Sequence, residues 1–216
     1  MNSFIRNIDK HYIKGFFLVF FAGLLWSFGA IIVRYMIDAN QYQPQYLFYR
    51  GIAIATILCS YLFIKEGYNF YKNFYKIGLS GIFGGICLAT AFMGFIFSIT
   101  MTTAAVTLFM LAAMPFIAAV VGYFTIGEKL RLSTLIAMII AFIGVAIMII
   151  NDSIGGSALG ALLGFLSATG FAVYTVTIRW KPETPKFTTV VMAGIFCSIF
   201  SLIIINFKSV SFSIPT

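Results

Sequence analysis

Arg50 is the residue whose type and position most clearly suggest chemistry. It lies about a turn and a half inside an apolar segment that follows Pro44. An ionised side chain in the hydrocarbon of a bilayer costs about 2.5 kcal/mol or more unless it reaches water or a partner. Two interpretations stay open. Arg50 either extends to the outer headgroups or pairs with Asp38, or it faces a water-filled cavity and attracts an anionic group such as a carboxylate.

Other side chains within apolar segments could bind a solute beside Arg50. Trp26 stands in the middle of the first segment, whereas tryptophan usually lies at the membrane–water interface, so we expect it to face protein or a cavity. Hydroxyl groups that could hydrogen-bond a solute, or simply a neighbouring helix, come from Tyr49, Thr90, Thr107 and Tyr174. We predict a substrate-binding set of Trp26, Arg50, Tyr49, Thr107 and Tyr174.

A second group of residues is expected to shape helices or to let them move. Pro115 interrupts an uncharged run from Thr102 to Ile126 and predicts a kink. Gly85 and Gly164 each belong to a small-xxx-small stripe, which allows helix backbones to approach closely in lipid. Rocking of helix groups would exploit the same smooth faces.

Glu128 follows Gly127 where that uncharged run ends. We expect it to end one helix, to favour the start of the next through the helix dipole, and to pair with a nearby base. Direct contact with a solute is the alternative.

The residues do not assemble a catalytic or metal-binding pattern. The sequence has no Ser-His-Asp set, no phosphate loop followed by Lys and only one histidine. The three cysteines fall in apolar segments without CxxC spacing, so we interpret them as small packing residues. All six acidic residues lie at helix ends or in loops, which argues against a buried proton relay. We expect no enzyme and no cofactor.

Composition places these residues in a membrane. The 216-residue chain is 61% hydrophobic and 9% charged, whereas a soluble domain is about 25% charged. Apolar runs long enough to cross a bilayer recur throughout. They predict an all-α polytopic membrane protein with seven transmembrane helices, at residues 15–37, 43–64, 76–97, 103–125, 132–150, 158–180 and 187–206.

The net charge of +8 follows from topology rather than from a nucleic-acid partner. Eleven of the 14 Lys and Arg residues precede the first predicted helix or lie in alternate loops, on one side of the membrane. This positive-inside pattern predicts a cytoplasmic N-terminus and places residue 216 outside. Anionic lipid headgroups are then expected partners.

The first and sixth predicted helices resemble each other weakly. Gly15 to Arg34 and Gly160 to Arg179 have the same spacing, 19 residues, and a proline follows each pair near the next helix. The two copies are five helices apart, and an odd-numbered unit inserts upside down the second time. Inverted repeats are a common architecture of secondary transporters.

These residues together resemble those of EamA-type permeases of the drug/metabolite transporter superfamily. The resemblance rests on Gly23-Leu24-Leu25-Trp26-Ser27, Pro44 with Arg50, Thr103-Ala104-Ala105 with Pro115, Gly127-Glu128, Gly144, and Gly160 to Arg179. It implies a ten-helix bundle of two inverted five-helix repeats around a central cavity. Family members move small metabolites, often amino acids or related compounds, across the bacterial inner membrane, and many are exporters. The positions of this sequence that match the family pattern are Trp26, Arg50, Pro115 and Glu128.

The resemblance divides the chain into a cytoplasmic tail (1–14), a first five-helix repeat (15–150) and an incomplete second repeat of two helices (158–216). Three helices of the family pattern are then missing. The given sequence is expected to be either a fragment of a longer protein or the product of a truncated gene. The expected function is secondary transport of a small organic solute by alternating access. The sequence leaves open whether the protein forms a homodimer.

The sequence leaves two alternative functions open: a seven-helix sensor or receptor, and a non-transporting membrane scaffold. Against the receptor, the charge pattern places the N-terminus inside, and the last helix has no interior lysine to hold a retinal.

Overall fold

The computed structural model describes residues 10–36, 38–129, 132–150 and 157–208. The chain divides into two compact units, Met1–Ala39 and Asn40–Thr216. The helices are α1 (Lys10–Tyr35), α2 (Ala39–Glu66), α3 (Tyr71–Lys76), α4 (Gly78–Met101), α5 (Ala104–Ala112), α6 (Met114–Ile126), α7 (Leu132–Ile150), α8 (Ala158–Trp180) and α9 (Lys186–Lys208).

The chain is an all-α polytopic membrane protein, as the composition predicts. Six helical stretches within the described residues are long and apolar enough to cross a membrane: Ile13–Tyr35, Ala39–Lys76, Gly78–Met101, Ala104–Ile126, Ala158–Trp180 and Lys186–Phe207. The predicted segment 132–150 also forms a helix, α7. The first unit contributes α1, a helix of 26 residues that carries Trp26 near its middle.

The centre of the second unit is α4, which packs against both α8 and α9. Two glycines allow its close approach to α8. A Cβ atom at Gly94 would lie 2.7 Å from the carbonyl oxygen of Leu163, and one at Gly170 would lie 2.6 Å from that of Cys87. Because a helix backbone cannot move aside as a side chain can, both positions require glycine. Such small-residue contacts are typical of helix association in lipid.

A second close contact joins α2 to α9, and it is reciprocal. A Cβ atom at Gly51 would lie 2.5 Å from the carbonyl oxygen of Gly194, and one at Gly194 would lie 2.7 Å from that of Gly51. Ser198 reinforces the contact because its hydroxyl lies 3.1 Å from the carbonyl oxygen of Phe48. The backbones of the two helices are therefore in close contact at Gly51 and Gly194.

The uncharged run around Pro115 forms one helical span with a local irregularity at Ala113. α5 ends at Ala112 and α6 begins at Met114, with a turn at Ala113. Pro115 has no N–H to give to the carbonyl oxygen of Leu111, which removes one hydrogen bond of a continuous helix. Both pieces pack on α8, and α5 also contacts α7. The two pieces thus form one span that packs along α8.

Candidate functional site

A cavity of about 790 Å³ lies among four helices of the second unit. It is lined near the start of α2, along the second half of α4, near the start of α8 and in the second half of α9. The lining residues are Asn40, Gln43, Thr90, Met93, Gly94, Phe97, Met101, Ser157, Leu159, Leu163, Leu166, Phe200 and Ile204. Because α2 and α8 run opposite to α4 and α9 here, these segments meet at one end of the bundle.

The lining is mainly apolar, with polar side chains from Asn40, Gln43, Thr90 and Ser157 and no ionisable residue. Its volume falls within the range of about 300–1,000 Å³ that is usual for small-molecule sites. Predominantly apolar walls with a few polar groups are also usual, because the walls supply affinity and the polar groups fix orientation. The cavity is therefore suited to a small organic solute.

Polar contacts join helices at the opposite end of the bundle. The hydroxyl oxygens of Ser80 and Thr184 lie 2.9 Å apart where α4 begins and α9 is about to begin. Glu128 and Arg179 form an ion pair, with 2.6 Å between Oε2 and Nη1, that joins the end of α6 to the end of α8. A second cavity, of about 770 Å³, also lies at this end, lined by residues 76–80 and 180–184.

Local backbone geometry places Glu128 for this ion pair. Gly127 ends α6 in the left-handed conformation, with φ of 71°, which a glycine adopts without strain. The N–H of Glu128 then donates to the carbonyl oxygen of Gly122, at 3.3 Å, so the chain folds back over the helix end. A Cβ atom at Gly122 would lie 3.2 Å from Oε2 of Glu128, so this second glycine leaves space for the carboxylate.

Four of the five predicted substrate-binding residues belong to the second unit, and none of the four lines the cavity. Arg50 lies beside it: the guanidinium carbon stands 5.0 Å from the centre of the Phe92 ring, and the next residue, Met93, is in the lining. Tyr49 is 46% exposed and contacts the Phe48 ring. The fifth residue, Trp26, is in the first unit, on α1. The substrate-binding roles of all five stay predictions.

Thr107 and Tyr174 lie at helix contacts. Thr107 is fully buried, and its hydroxyl oxygen is 2.9 Å from that of Ser98, which links α5 to α4. The ring of Tyr174 lies 3.7 Å from where a Cβ atom of Gly84 would stand. Both side chains thus contact neighbouring helices.

The two predicted packing glycines lie at close helix contacts. A Cβ atom at Gly85 would be 3.1 Å from that of Met192 on α9. One at Gly164 would be 2.8 Å from the hydroxyl oxygen of Ser98 on α4. Gly164 also follows Leu163 of the lining, so this contact sets the distance between two cavity walls.

Sequence reasoning missed Gln43, the most buried polar side chain of the lining at 2% exposure. The available signal was a carboxamide within an apolar helix, where polar side chains commonly hydrogen-bond to a neighbouring helix. The segment Gln41 to Gln45 contains three glutamines, however, and their alternation with other residues hides which of them faces inward.

Membrane-spanning helices around a solute-sized cavity are typical of transport proteins. A family model described as "EamA-like transporter family" matches residues 13–150, more than half of the chain. The chain belongs to this family, as its resemblance to EamA-type permeases predicts, and the family is one of transporters of small solutes. No curated protein and no solved structure matches the chain.

Proposed function

We propose that this chain carries the solute site of a permease that moves a small organic metabolite, such as an amino acid or related compound, by alternating access. The observation that carries the proposal is the mainly apolar cavity among α2, α4, α8 and α9. It is about 790 Å³ in volume, and the Ser80–Thr184 and Glu128–Arg179 contacts join helices at the end of the bundle away from it. In alternating access, contacts of this kind would separate the site from the opposite side of the membrane.

The positive-inside pattern gives this arrangement a direction in the membrane. Lys65, Lys76 and Arg179 lie at the helix ends away from the cavity. With those ends in the cytoplasm of a bacterial cell, the cavity faces outside. A solute in this cavity would then exchange with the outside, where an exporter releases its solute or an importer receives it.

The reciprocal contact of Gly51 with Gly194 supports the proposed domain division. An inverted repeat relates its two halves by a twofold axis in the membrane plane. Gly51 belongs to the second helix of the proposed first repeat (15–150), and Gly194 to the second helix of the proposed second repeat (158–216). A reciprocal contact between the second helices of the two proposed repeats is what such an axis would produce.

The geometry favours a positioning role for Arg50. Its guanidinium lies over Phe92, and within the described part of Asn40–Lys208 no carboxylate lies within 4 Å of it. A cation over an aromatic ring is stabilised by about 0.5–2 kcal/mol, which offsets part of the cost of its desolvation. Arg50 would therefore support the α4 wall beside Met93 rather than bind the solute in this conformation.

Cysteine accessibility tests the proposal on the full chain in oriented membrane vesicles. Met93→Cys places a thiol in the cavity, and Ile199→Cys places one at similar depth, about two turns before its helix ends, on a side chain that is 46% exposed and outside the lining. The reagent is a membrane-impermeant trimethylammonium methanethiosulfonate. The parent chain, with its three native cysteines, provides the blank.

We expect Met93→Cys to react from outside at least about tenfold faster than Ile199→Cys, because thiol reactivity requires water to form the thiolate. A transported solute should slow that reaction and should make Met93→Cys reactive from the cytoplasmic side. Equal rates at the two positions would contradict a water-accessible cavity. Reactivity that stays on one side for every solute of a broad panel would contradict alternating access.

A further inference from the structure

Gln43 presents a fixed carboxamide to the cavity. Its amide nitrogen lies 2.5 Å from the hydroxyl oxygen of Thr100 on α4 and 3.3 Å from the side-chain oxygen of Asn40. The side chain is 2% exposed although it belongs to the lining. A carboxamide bonded at two points has little rotational freedom, so the direction of its carbonyl is determined.

The hydrogen bonds of Thr100 decide which end of the carboxamide faces it. The Thr100 hydroxyl lies 2.8 Å from the carbonyl oxygen of Ile96 and 3.1 Å from that of Phe97, and both can only accept. With the single hydroxyl proton directed to these carbonyl oxygens within α4, the oxygen of Thr100 accepts from the amide nitrogen of Gln43. The NH₂ group thus faces Thr100, and the carbonyl oxygen is left on the other side of the amide plane.

Within the described residues, the amide nitrogen of Gln43 makes both of the side-chain hydrogen bonds given above, which leaves its carbonyl oxygen to accept from a solute. Thr90 adds a second acceptor, because its hydroxyl proton goes to the carbonyl oxygen of Ile86, at 2.9 Å. The groups that retain a proton to give are the Ser157 hydroxyl, whose oxygen accepts from the N–H of Leu159, and the exposed amide of Asn40. The buried polar group of the cavity is thus an acceptor.

We propose that Gln43 determines solute specificity by accepting a hydrogen bond from a hydroxyl or amine group of the transported solute. The inference rests on the proposed function, since it requires the cavity to be the solute site. A solute that lacks a donor would leave the carbonyl oxygen desolvated and unbonded. Sites built to pair with a substrate OH or NH reject analogues without it for this reason.

The expected discrimination follows from the value of one hydrogen bond. A neutral hydroxyl donor should bind about 3- to 10-fold more tightly than the same molecule without its donor, and an ammonium donor about 10- to 100-fold. The matched probes are 2-phenylethanol and its methyl ether, which share the apolar ring and the oxygen but differ in the donor proton.

The experiment measures protection of Met93→Cys from the trimethylammonium methanethiosulfonate, with probe concentrations corrected for partitioning into the vesicles. We expect 2-phenylethanol to protect at about 3- to 10-fold lower concentration than its methyl ether. Gln43→Met should make the two probes equivalent. Thr100→Val, which frees the carboxamide to rotate, should reduce the difference. Gln41→Met makes the same chemical change on an exposed residue of α2 and should preserve it.

The outcomes separate this inference from the proposed function. If neither probe protects the thiol at any concentration, the cavity is not a solute site, and both proposals fail. If both probes protect the Met93→Cys chain equally, the cavity binds solutes but Gln43 does not select them. This comparison needs no change at Gln43, so it decides the question even if Gln43→Met does not fold. A preference that survives in folded Gln43→Met would also overturn the inference.

Discussion

Replacing Gly94 with alanine should test how closely α4 and α8 are held together. The new methyl group would lie 2.7 Å from the carbonyl oxygen of Leu163 and 3.0 Å from the amide nitrogen of Ser167, both backbone atoms of α8. Ordinary contacts of a Cβ atom begin at 3.4 Å, so α8 must move away by about 0.7 Å. That movement would also strain the 2.7 Å hydrogen bond from the Ser167 hydroxyl to the carbonyl oxygen of Ala91.

Gly84→Ala is the matched control on the same helix. It is also buried, but a Cβ atom there would meet its nearest neighbour, the Thr189 methyl carbon, at 3.4 Å. Both substitutions gain about 1 kcal/mol of helix propensity, which cancels in the comparison. Overpacking of a close contact costs about 1–3 kcal/mol, so Gly94→Ala should be less stable than Gly84→Ala by that amount.

Thermal unfolding of the two purified variants in the same detergent measures the difference. For a chain of this size, 1 kcal/mol corresponds to about 2–4 °C, so Gly94→Ala should melt about 2–12 °C below Gly84→Ala. Since Gly94 also lines the cavity, its variant should alter the labelling rate of Met93→Cys, whereas Gly84→Ala should not. If the two variants melt within about 1 °C of each other, glycine does not set the spacing of α4 and α8 and the reasoning is wrong.

Three further substitutions have defined expected results. Glu128→Gln should lower the free energy of unfolding by less than about 1 kcal/mol, because both side chains of its ion pair are 42% exposed. Adding Arg179→Gln should lower it little further. A coupling energy between the two residues above about 1 kcal/mol in the double-mutant cycle would contradict this. Thr107→Val should lower the free energy of unfolding, measured by thermal unfolding, by about 0.6–1.7 kcal/mol because the hydrogen bond to Ser98 is lost. If Thr107→Val has the same effect in the Ser98→Ala background, the bond contributes nothing. Tyr49→Phe should change the concentration of 2-phenylethanol that protects Met93→Cys by less than about twofold, because Tyr49 is exposed and outside the lining. A larger change would show that Tyr49 belongs to the solute site.

Hydropathy was sufficient to locate the membrane-spanning helices. The predicted segments 132–150 and 158–180 have the bounds of α7 and α8, and the other segments differ from the observed helices by a few residues. This works because a helix in lipid must satisfy its own backbone hydrogen bonds, so its length follows from the apolar run alone. The helix irregularity near Pro115 could also be predicted from local sequence, because it depends on the missing N–H of one residue.

The solute cavity could not be predicted in the same way because it depends on pairings between distant residues. Gln43 and its partner Thr100 are 57 positions apart, and nothing in the α2 sequence fixes the rotation that turns Gln43 rather than Gln41 inward. Arg50 was conspicuous because a charge in an apolar segment is rare. Its interaction with Phe92 depends on the packing of α2 against α4, which composition does not encode.

The contact between α2 and α9 also has a consequence for the order of events during synthesis. Ser198 follows its partner Phe48 by 150 residues. At roughly 5–20 residues per second, α2 waits about 8–30 s in the membrane before α9 emerges. During that interval the small-residue face around Gly51 is covered only by lipid or by whatever binds it in the meantime. Newly made chains should therefore be most vulnerable to mispairing and to membrane proteases before α9 has inserted.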